Sequence, residues 1–467
     1  MVQLNVQKTN IAVALLGFIT SIILISEDCP SYYVLLPLIP FVYGGLNLVC
    51  GVVWKKAAVA SIFGIMFNGM MFLRAVVMPL LLMLGDYETV LRVNIDSNMP
   101  KAILLFSYEM ICEYLLYEYI YKDIRDEFYD KYSVDVSNEY RYGFMVVFLI
   151  AGLIGCLILA PSAVTFYRTI FGITDYEYTG FDSHSVFTQY ATSLIAKFGL
   201  VTFRYFAGVC RLVFPALILY RMKKRNANRI VAFVVTIILI FVFDLLLVDD
   251  TIATSIVNAL ITLVYYNRLF SSPKQLNRYF VYAALGVASY FELRLSLTAS
   301  MSHYTNMFTR ISNITQAYFL GTRNIAAGFN LYADSIFGAM KYMIYELLRG
   351  IPYASTIFGL DNTSVSTLFN SVNNCTGQIV PVISSGNLYF SFLFAPLYPM
   401  LFLLISYKNS VKVDVIEKPL SVLGSITICV YTLMGISMYS AEATWAFTIT
   451  VGLAIKLLSF LFERKSS

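Results

Sequence analysis

The chain has 467 residues, of which 58% are hydrophobic and only 13% are charged, and its formal net charge is +5. This composition excludes a soluble globular protein, because several stretches of 18 or more largely apolar residues need a lipid environment. We therefore expect an all-α fold: a polytopic integral membrane protein whose 467 residues form one transmembrane domain.

About 12 transmembrane helices are predicted from the apolar runs. The first run lacks a small-residue cleavage site, so it is predicted to be a span and not a signal peptide. The predicted spans are 10–26, 31–50, 57–84, 101–121, 143–163, 193–220, 230–248, 251–270, 279–298, 386–407, 418–438 and 442–462.

The distribution of Lys and Arg predicts that both termini are cytoplasmic. With the N-terminus inside, the inner connections hold 20 of these residues and the outer connections hold 7. Such an excess is typical of cytoplasmic loops. This topology leaves two large outer loops, 164–192 and 299–385, and function is expected at the outer face. The sequence shows no convincing internal repeat and no sign of a broken helix.

Within the second outer loop, an amphipathic helix is predicted at about 334–349. Asp334 is expected to cap its start, and Gly350 and Pro352 to end it. Lys341, Tyr345 and Arg349 follow at intervals of four, so both cations point the same way. We expect the helix to lie on the membrane surface and to offer these cations to an anion, although a solvated lid remains an alternative. The predicted apolar face is Ile336, Phe337, Met340, Met343, Ile344, Leu347 and Leu348.

The sixth predicted span carries three cations, Lys197, Arg204 and Arg211, at a spacing of seven. Seven residues return to the same helix face, about 10 Å further along the axis. A voltage sensor would place arginines at every third position, whereas a stripe that binds a lipid-linked diphosphate fits this spacing. Snorkelling to the interface is the alternative for Lys197. The alternative for the arginines is ion pairing with acids of other spans: Glu109, Glu113, Asp244 and Glu292.

The two outer loops supply further candidates, namely Arg168, Arg310, Arg323 and His303. His303 follows the ninth predicted span and is a candidate general base. The outer loops contain no DxD, and the chain has no Cys/His cluster, P-loop, zinc-binding helix or GxSxG, so no metal or cofactor is predicted. The sequence leaves open whether Cys29 and Cys375, both expected on the outer side, form a disulfide.

Three features together resemble the Wzy-type oligosaccharide repeat-unit polymerases, the O-antigen and capsular polysaccharide polymerase family. They are the dozen spans with two large outer loops, the run DSIFGAMKYMIYELLRGIPYASTIFGLDNTSVSTLFN (334–370) and the run QIVPVISSGNLYFSFLFAPL (378–397). The resemblance implies transfer of a growing glycan from undecaprenyl diphosphate to the next lipid-linked repeat unit. Related ligases place a histidine near this second run. Here it reads Ser384-Ser385-Gly386-Asn387, so the general base stays unassigned.

The resemblance also implies a location, the outer face of the bacterial cytoplasmic membrane. The expected partners are the undecaprenyl-diphosphate-linked oligosaccharide, a chain-length regulator and a flippase, and no nucleic acid. Metal-independent glycosyl transfer is expected, with arginines stabilising the diphosphate. The expected catalytic residues are Arg204, Arg211, Arg310, Arg323, Arg349 and His303. The expected substrate-binding residues are Lys341, Tyr345, Arg168, Lys197 and Asn387.

Three alternatives remain open. A lipid-linked oligosaccharide flippase or other transporter shares the spans and the intramembrane cations, but transporters often contain internal repeats or broken helices. Another multi-spanning glycosyltransferase or ligase would favour acids in its first outer loop, which here is only 27–30. A non-catalytic membrane scaffold would leave the cations of the sixth span unexplained.

Overall fold

The expectation of an all-α fold is confirmed by a computed structural model. It describes residues 6–55, 61–87, 95–122, 139–159, 193–246, 252–270, 307–319, 321–358, 364–375, 380–415, 418–437 and 442–464. Among these residues the β-structure consists of one antiparallel ladder of two residues per strand, β1 (Glu139–Tyr140) and β2 (Glu463–Arg464).

The helices follow one another along the whole chain. The first nine are α1 (Val6–Ser26), α2 (Leu38–Val49), α3 (Ile62–Phe72), α4 (Met78–Leu84), α5 (Met99–Tyr121), α6 (Tyr142–Leu159), α7 (Leu194–Lys224), α8 (Arg229–Leu246) and α9 (Ile252–Phe270). The remaining nine are α10 (Met307–Tyr318), α11 (Thr322–Gly328), α12 (Ile336–Arg349), α13 (Ala354–Phe358), α14 (Val365–Val372), α15 (Val382–Phe394), α16 (Leu397–Val415), α17 (Pro419–Ser437) and α18 (Glu442–Phe462). A π-helical segment, Leu73–Val77, joins α3 to α4.

Twelve spans are not confirmed. Helices form at every predicted span except 279–298, which lies outside the described residues. Among the described residues, six helices are long and apolar enough to cross a membrane, and seven if one bent pair counts as a single span. Helix α5 occupies the fourth predicted span but falls outside this group, because Lys101, Glu109, Glu113 and Glu118 make it too polar.

The bent pair consists of α15 and the start of α16, which meet at an angle of 114°. The sequence predicted one continuous span at 386–407 and no broken helix, and both expectations were wrong. Ser391 has a φ of 65°, outside the helical region, and Pro396 follows at the junction. Ser391 therefore kinks α15 before its end. Pro396, which lacks a backbone donor, lies at the junction, where one straight helix cannot continue into α16.

Serine side chains begin four of the helices by accepting a hydrogen bond from a backbone N–H of the first turn. The predicted helix at 334–349 is confirmed as α12, and Gly350 lies at its C-cap as expected. Its N-cap is Ser335, which accepts from the N–H of Gly338, so the prediction of Asp334 as the cap was wrong. The other three caps are Ser61, Ser193 and Ser364.

Buried side chains form two hydrophobic cores. The first is built by α1 to α5 together with α11, α14, α15 and α16, and the second by α6 to α9 and α18. Helix α17 contributes to both cores and is almost entirely buried. It therefore connects the two halves of the molecule.

Part of the predicted second large loop, 299–385, is packed inside this helical assembly. All seven residues of α11 are buried, and α11 packs against α5 and α15. Helix α10 packs against α4. The polar segment between the ninth and tenth predicted spans thus supplies side chains to the first core, because its short helices are apolar enough to bury one face. The first predicted loop, 164–192, lies outside the described residues.

Candidate functional site

The N-terminal half of α7 presents Arg204 to α18. The Arg204 guanidinium lies over the Phe447 ring, 4.9 Å from its centroid, and the side chain is half-buried. Cation–π contacts of this kind hold a guanidinium without neutralising it. Neither the Arg74–Glu109 nor the Arg349–Glu346 ion pair includes Arg204. The half-buried guanidinium is therefore a candidate to bind an anion.

The same part of α7 holds the end of α12. The hydroxyl of Tyr205 donates to the carbonyl oxygen of Gly350 at 2.7 Å. One turn earlier, the hydroxyl oxygens of Thr202 and Tyr353 are 2.6 Å apart, and the rings of Phe198 and Tyr353 are 5.0 Å apart. The first of these contacts joins the immediate chain neighbours of two predicted site residues, because Arg204 precedes Tyr205 and Arg349 precedes Gly350. The structure thus places the chain at Arg204 beside the chain that follows Arg349.

Arg349 is itself partly neutralised by a buried acid. Its Nη1 lies 3.5 Å from Oε1 of Glu346, one turn earlier on α12. Burial raises the pKa of the Glu346 carboxyl; the Arg349 charge and backbone N–H donors, including that of Val365, oppose this shift. The backbone N–H of Val365 donates to Glu346, so this carboxyl also connects α12 to the start of α14.

Lys341 is exposed on α12, and its Nζ lies 5.3 Å from the centroid of the Tyr345 ring. Lys341 and Tyr345 therefore lie on the same side of α12, as the sequence predicted. Arg211 lies seven residues beyond Arg204 on α7 and is buried, with 5% of its surface exposed. The stripe predicted on this helix thus passes from a half-buried to a buried arginine.

Arg323 belongs to a different neighbourhood. It is buried on α11, where its Nε donates to the Tyr33 hydroxyl at 3.0 Å and its Nη1 donates to Oδ1 of Asn313 at 2.9 Å. No described contact joins it to Arg204 or Arg349. Its hydrogen bonds link α10, α11 and the turn before α2. Arg323 therefore serves as a packing residue of the first core in this conformation.

The other predicted site residues are placed as follows. Arg310 is half-buried on α10, and Asn387 is half-buried on α15. Arg168 and His303 lie outside the described residues, as does the side chain of Lys197 on α7. Among the described residues no group of acids, histidines and cysteines is suited to hold a metal. Cys29 and Cys375 are free thiols.

A buried charge cluster was missed as a candidate site. Arg74 lies in the π-helical segment, where its Nη2 is 3.4 Å from Oε2 of Glu109 and its guanidinium is 4.4 Å from the Phe106 ring centroid. Glu113, one turn beyond Glu109, is fully buried, and neither of its carboxylate oxygens has a hydrogen-bond partner among the described residues. The spacing of Glu109 and Glu113 did indicate a paired role, but the sequence could not show that Glu109 pairs with Arg74.

This cluster borders a small cavity with room for about one water molecule. Ionisable residues inside a membrane usually mark a functional position, because burying their charge is costly. π-Helical segments are also frequent at functional sites. The polar lining of the cavity comes from three segments, with Arg74, Gln316 and Thr322 among its residues.

Comparison with known proteins gives no family for this chain: no family model, curated protein or solved structure matches it.

Proposed function

We propose that the protein is a glycosyltransferase that polymerises lipid-linked oligosaccharide repeat units at the outer face of the bacterial cytoplasmic membrane. Its product would be an O-antigen, a capsule or an exopolysaccharide. One observation carries the proposal: Arg204, which no described acid neutralises, lies one residue from the contact that holds the end of α12, where Arg349 is located. Two guanidinium groups in one neighbourhood suit a diphosphate, since each can bind phosphate oxygens in a bidentate manner.

In the proposed reaction, a hydroxyl oxygen of the acceptor repeat unit attacks the anomeric carbon of the donor. A carbon–oxygen bond forms between the two glycans, and the bond from the anomeric carbon to the diphosphate oxygen breaks. The hydroxyl loses its proton, and undecaprenyl diphosphate leaves with both electrons of the broken bond. Arg204 and Arg349 would stabilise the negative charge that develops on this leaving group. The exposed Lys341 would assist at the membrane boundary.

A transporter or flippase for the same lipid-linked oligosaccharide is the second candidate, and two observations favour it. Transporters commonly contain broken helices, and α15 and α16 form such a pair. The buried cluster of Arg74, Glu109 and Glu113 is also typical of an ion or substrate path. Against this candidate, transporters rarely need a segment as long as 299–385.

Deletion of the gene in its host, followed by electrophoresis of lipid-linked and surface glycans, distinguishes the candidates. Loss of long chains while single repeat units still reach the surface would support a polymerase. Accumulation of repeat units on the cytoplasmic side would contradict it and identify a flippase. Normal long chains that fail to attach to their final carrier would instead indicate a ligase.

A further inference from the structure

One side of α12 carries large apolar side chains that the described part of the chain leaves uncovered. Ile336 is 75% exposed, Phe337 is 85% exposed and Ile344 is 47% exposed, and Met340 is exposed on the same side. Successive members are one, three and four residues apart, so all four lie on the same side of the helix. We call these four residues the α12 stripe.

Contacts with the rest of the protein use another side of α12. Ala339 and Glu346 are its buried residues, and Tyr342 and Met343 pack against the first core. These contacts fix the rotation of the helix about its axis. The stripe is thus the part of the predicted apolar face that the described residues leave uncovered, whereas Met343 of that face packs against the first core.

The end of α12 lies beside the N-terminal part of a helix that is long and apolar enough to cross a membrane. Tyr353 contacts Phe198 and Thr202 in the first turns of α7. Gly350 contacts Tyr205, seven residues or about 10 Å further along α7 at 1.5 Å per residue. Helix α12 therefore ends beside the N-terminal half of α7.

The stripe also belongs to a larger apolar surface. Helix α12 packs against α15 and α18, which are themselves rich in exposed apolar side chains. Beyond α12, the chain continues with further exposed apolar residues in and near α13. Surfaces of this kind on membrane-spanning segments are covered by lipid. The exposed apolar residues of these neighbours include Ile351, Ile357, Phe358, Phe392, Leu393, Phe394, Leu453 and Leu457.

We propose that the α12 stripe is embedded in the lipid bilayer, with α12 lying along the boundary between headgroups and acyl chains. An amphipathic helix in such a position buries its apolar face by about 5–10 Å and keeps its cations among the headgroups. Lys341 follows the stripe on the helix surface, so its ammonium group reaches the level of the lipid phosphates. This inference concerns a lipid surface and does not depend on the proposed transfer reaction.

Tryptophan fluorescence in vesicles tests the proposal. The full-length protein, with Trp54→Phe and Trp445→Phe as background, carries either Ile344→Trp in the stripe or Tyr345→Trp as the control. The two positions are at nearly the same height on α12 and differ by about 100° around its axis. Each variant is reconstituted into phosphatidylcholine vesicles with ordinary or brominated acyl chains. If the background does not fold, the native tryptophans are kept and their quenching is subtracted.

The Ile344→Trp variant is expected to be quenched by brominated chains about twofold more than the Tyr345→Trp variant. Bromine near the headgroup end of the chain should quench it more than bromine near the chain terminus. Equal quenching of the two variants would overturn the proposal. An Ile344→Trp signal protected from both brominated lipid and aqueous acrylamide would also overturn it, since a protein surface would then cover the stripe.

Discussion

The hydroxyl of Tyr205 donates a 2.7 Å hydrogen bond to the carbonyl oxygen of Gly350, and this bond ties α7 to the end of α12. Tyr205→Phe removes the donor and keeps the ring. We expect a loss of about 1 kcal/mol of stability and faster amide hydrogen exchange in residues 350–358. Tyr108→Phe is the control, because it removes a similar bond to the carbonyl oxygen of Leu393. Faster exchange at 350–358 in both variants would contradict a local role for Tyr205.

Arg204→Ala removes the proposed donor to the diphosphate. The loss of one such charge-assisted donor costs on the order of 2–4 kcal/mol in the transition state, so polymer synthesis should fall by roughly 100-fold or more. Arg204→Lys should recover only part of this, because a lysine cannot bind phosphate in a bidentate manner. Arg225→Ala is the matched control, since Arg225 is an exposed residue at the other end of α7. Unchanged polymer length and yield in Arg204→Ala would refute the assignment.

Arg74 and Glu109 form a buried ion pair, and breaking it should destabilise the protein. Arg74→Met leaves the buried Glu109 carboxylate without its partner, which typically costs about 3–5 kcal/mol. The double variant Arg74→Met/Glu109→Leu should recover much of the loss, because it removes both charges. The stability of each variant is measured by thermal denaturation in detergent. If the double variant loses as much stability as Arg74→Met and Glu109→Leu lose together, the pair is not coupled.

Two glycines allow α17 and α18 to approach closely. A Cβ added at Gly424 would lie 2.7 Å from the carbonyl oxygen of Gly452, and one added at Gly452 would lie 3.1 Å from that of Gly424. Small residues permit such contacts between membrane helices. Gly424→Ala should therefore lower the thermal midpoint. Gly155→Ala should leave it unchanged or raise it, since no atom lies within 4 Å and alanine favours the helix by about 1 kcal/mol. Equal effects would contradict the close approach.

The buried Glu346 predicts a pH dependence of stability. Its pKa in the folded state is raised above 4.5, chiefly by burial. A carboxyl with a raised folded-state pKa contributes fully to stability below its unfolded pKa, and this contribution is lost as the pH rises through the folded value. The wild-type thermal midpoint should therefore fall as the pH rises. The glutamine of the Glu346→Gln variant cannot titrate, so this fall should be smaller. Asp334→Asn, which removes an exposed carboxylate, should keep the wild-type slope. A Glu346→Gln curve parallel to the wild-type curve would disprove the effect.

The helical class and the positions of most helices could be predicted, because apolar runs and the helical period are local properties of the sequence. The predicted helix at 334–349 differs from α12 by two residues at its start. Its cap was predicted one residue too early, since Asp334 and Ser335 are both good capping residues. Four residues of the predicted apolar face are exposed while Met343 packs against the first core, because tertiary contacts decide which part of such a face meets protein.

The predicted cluster of arginines was harder to judge. The segments that carry Arg204 and Arg349 meet through Tyr205 and Gly350, and this contact carries no sequence signal. Arg323 looks like the other loop arginines in the sequence, yet it is buried against Tyr33, which precedes it by 290 residues. Pairing over such separations is decided by packing and not by local pattern. The partner of Arg74 was unpredictable for the same reason.

The bend between α15 and α16 determines how this part of the chain crosses the membrane. If α16 stands along the membrane normal, the 114° angle leaves α15 inclined by only about 24° to the membrane plane. The 19 residues of α16 extend about 28 Å at 1.5 Å each, close to the thickness of a hydrocarbon core of about 30 Å. The second half of α16 is polar, so among the described residues only α15 and α16 together are apolar enough to form a span. The part of the pair that runs close to the membrane plane is α15, which packs against α12, so the interfacial helix has a protein surface on its buried side.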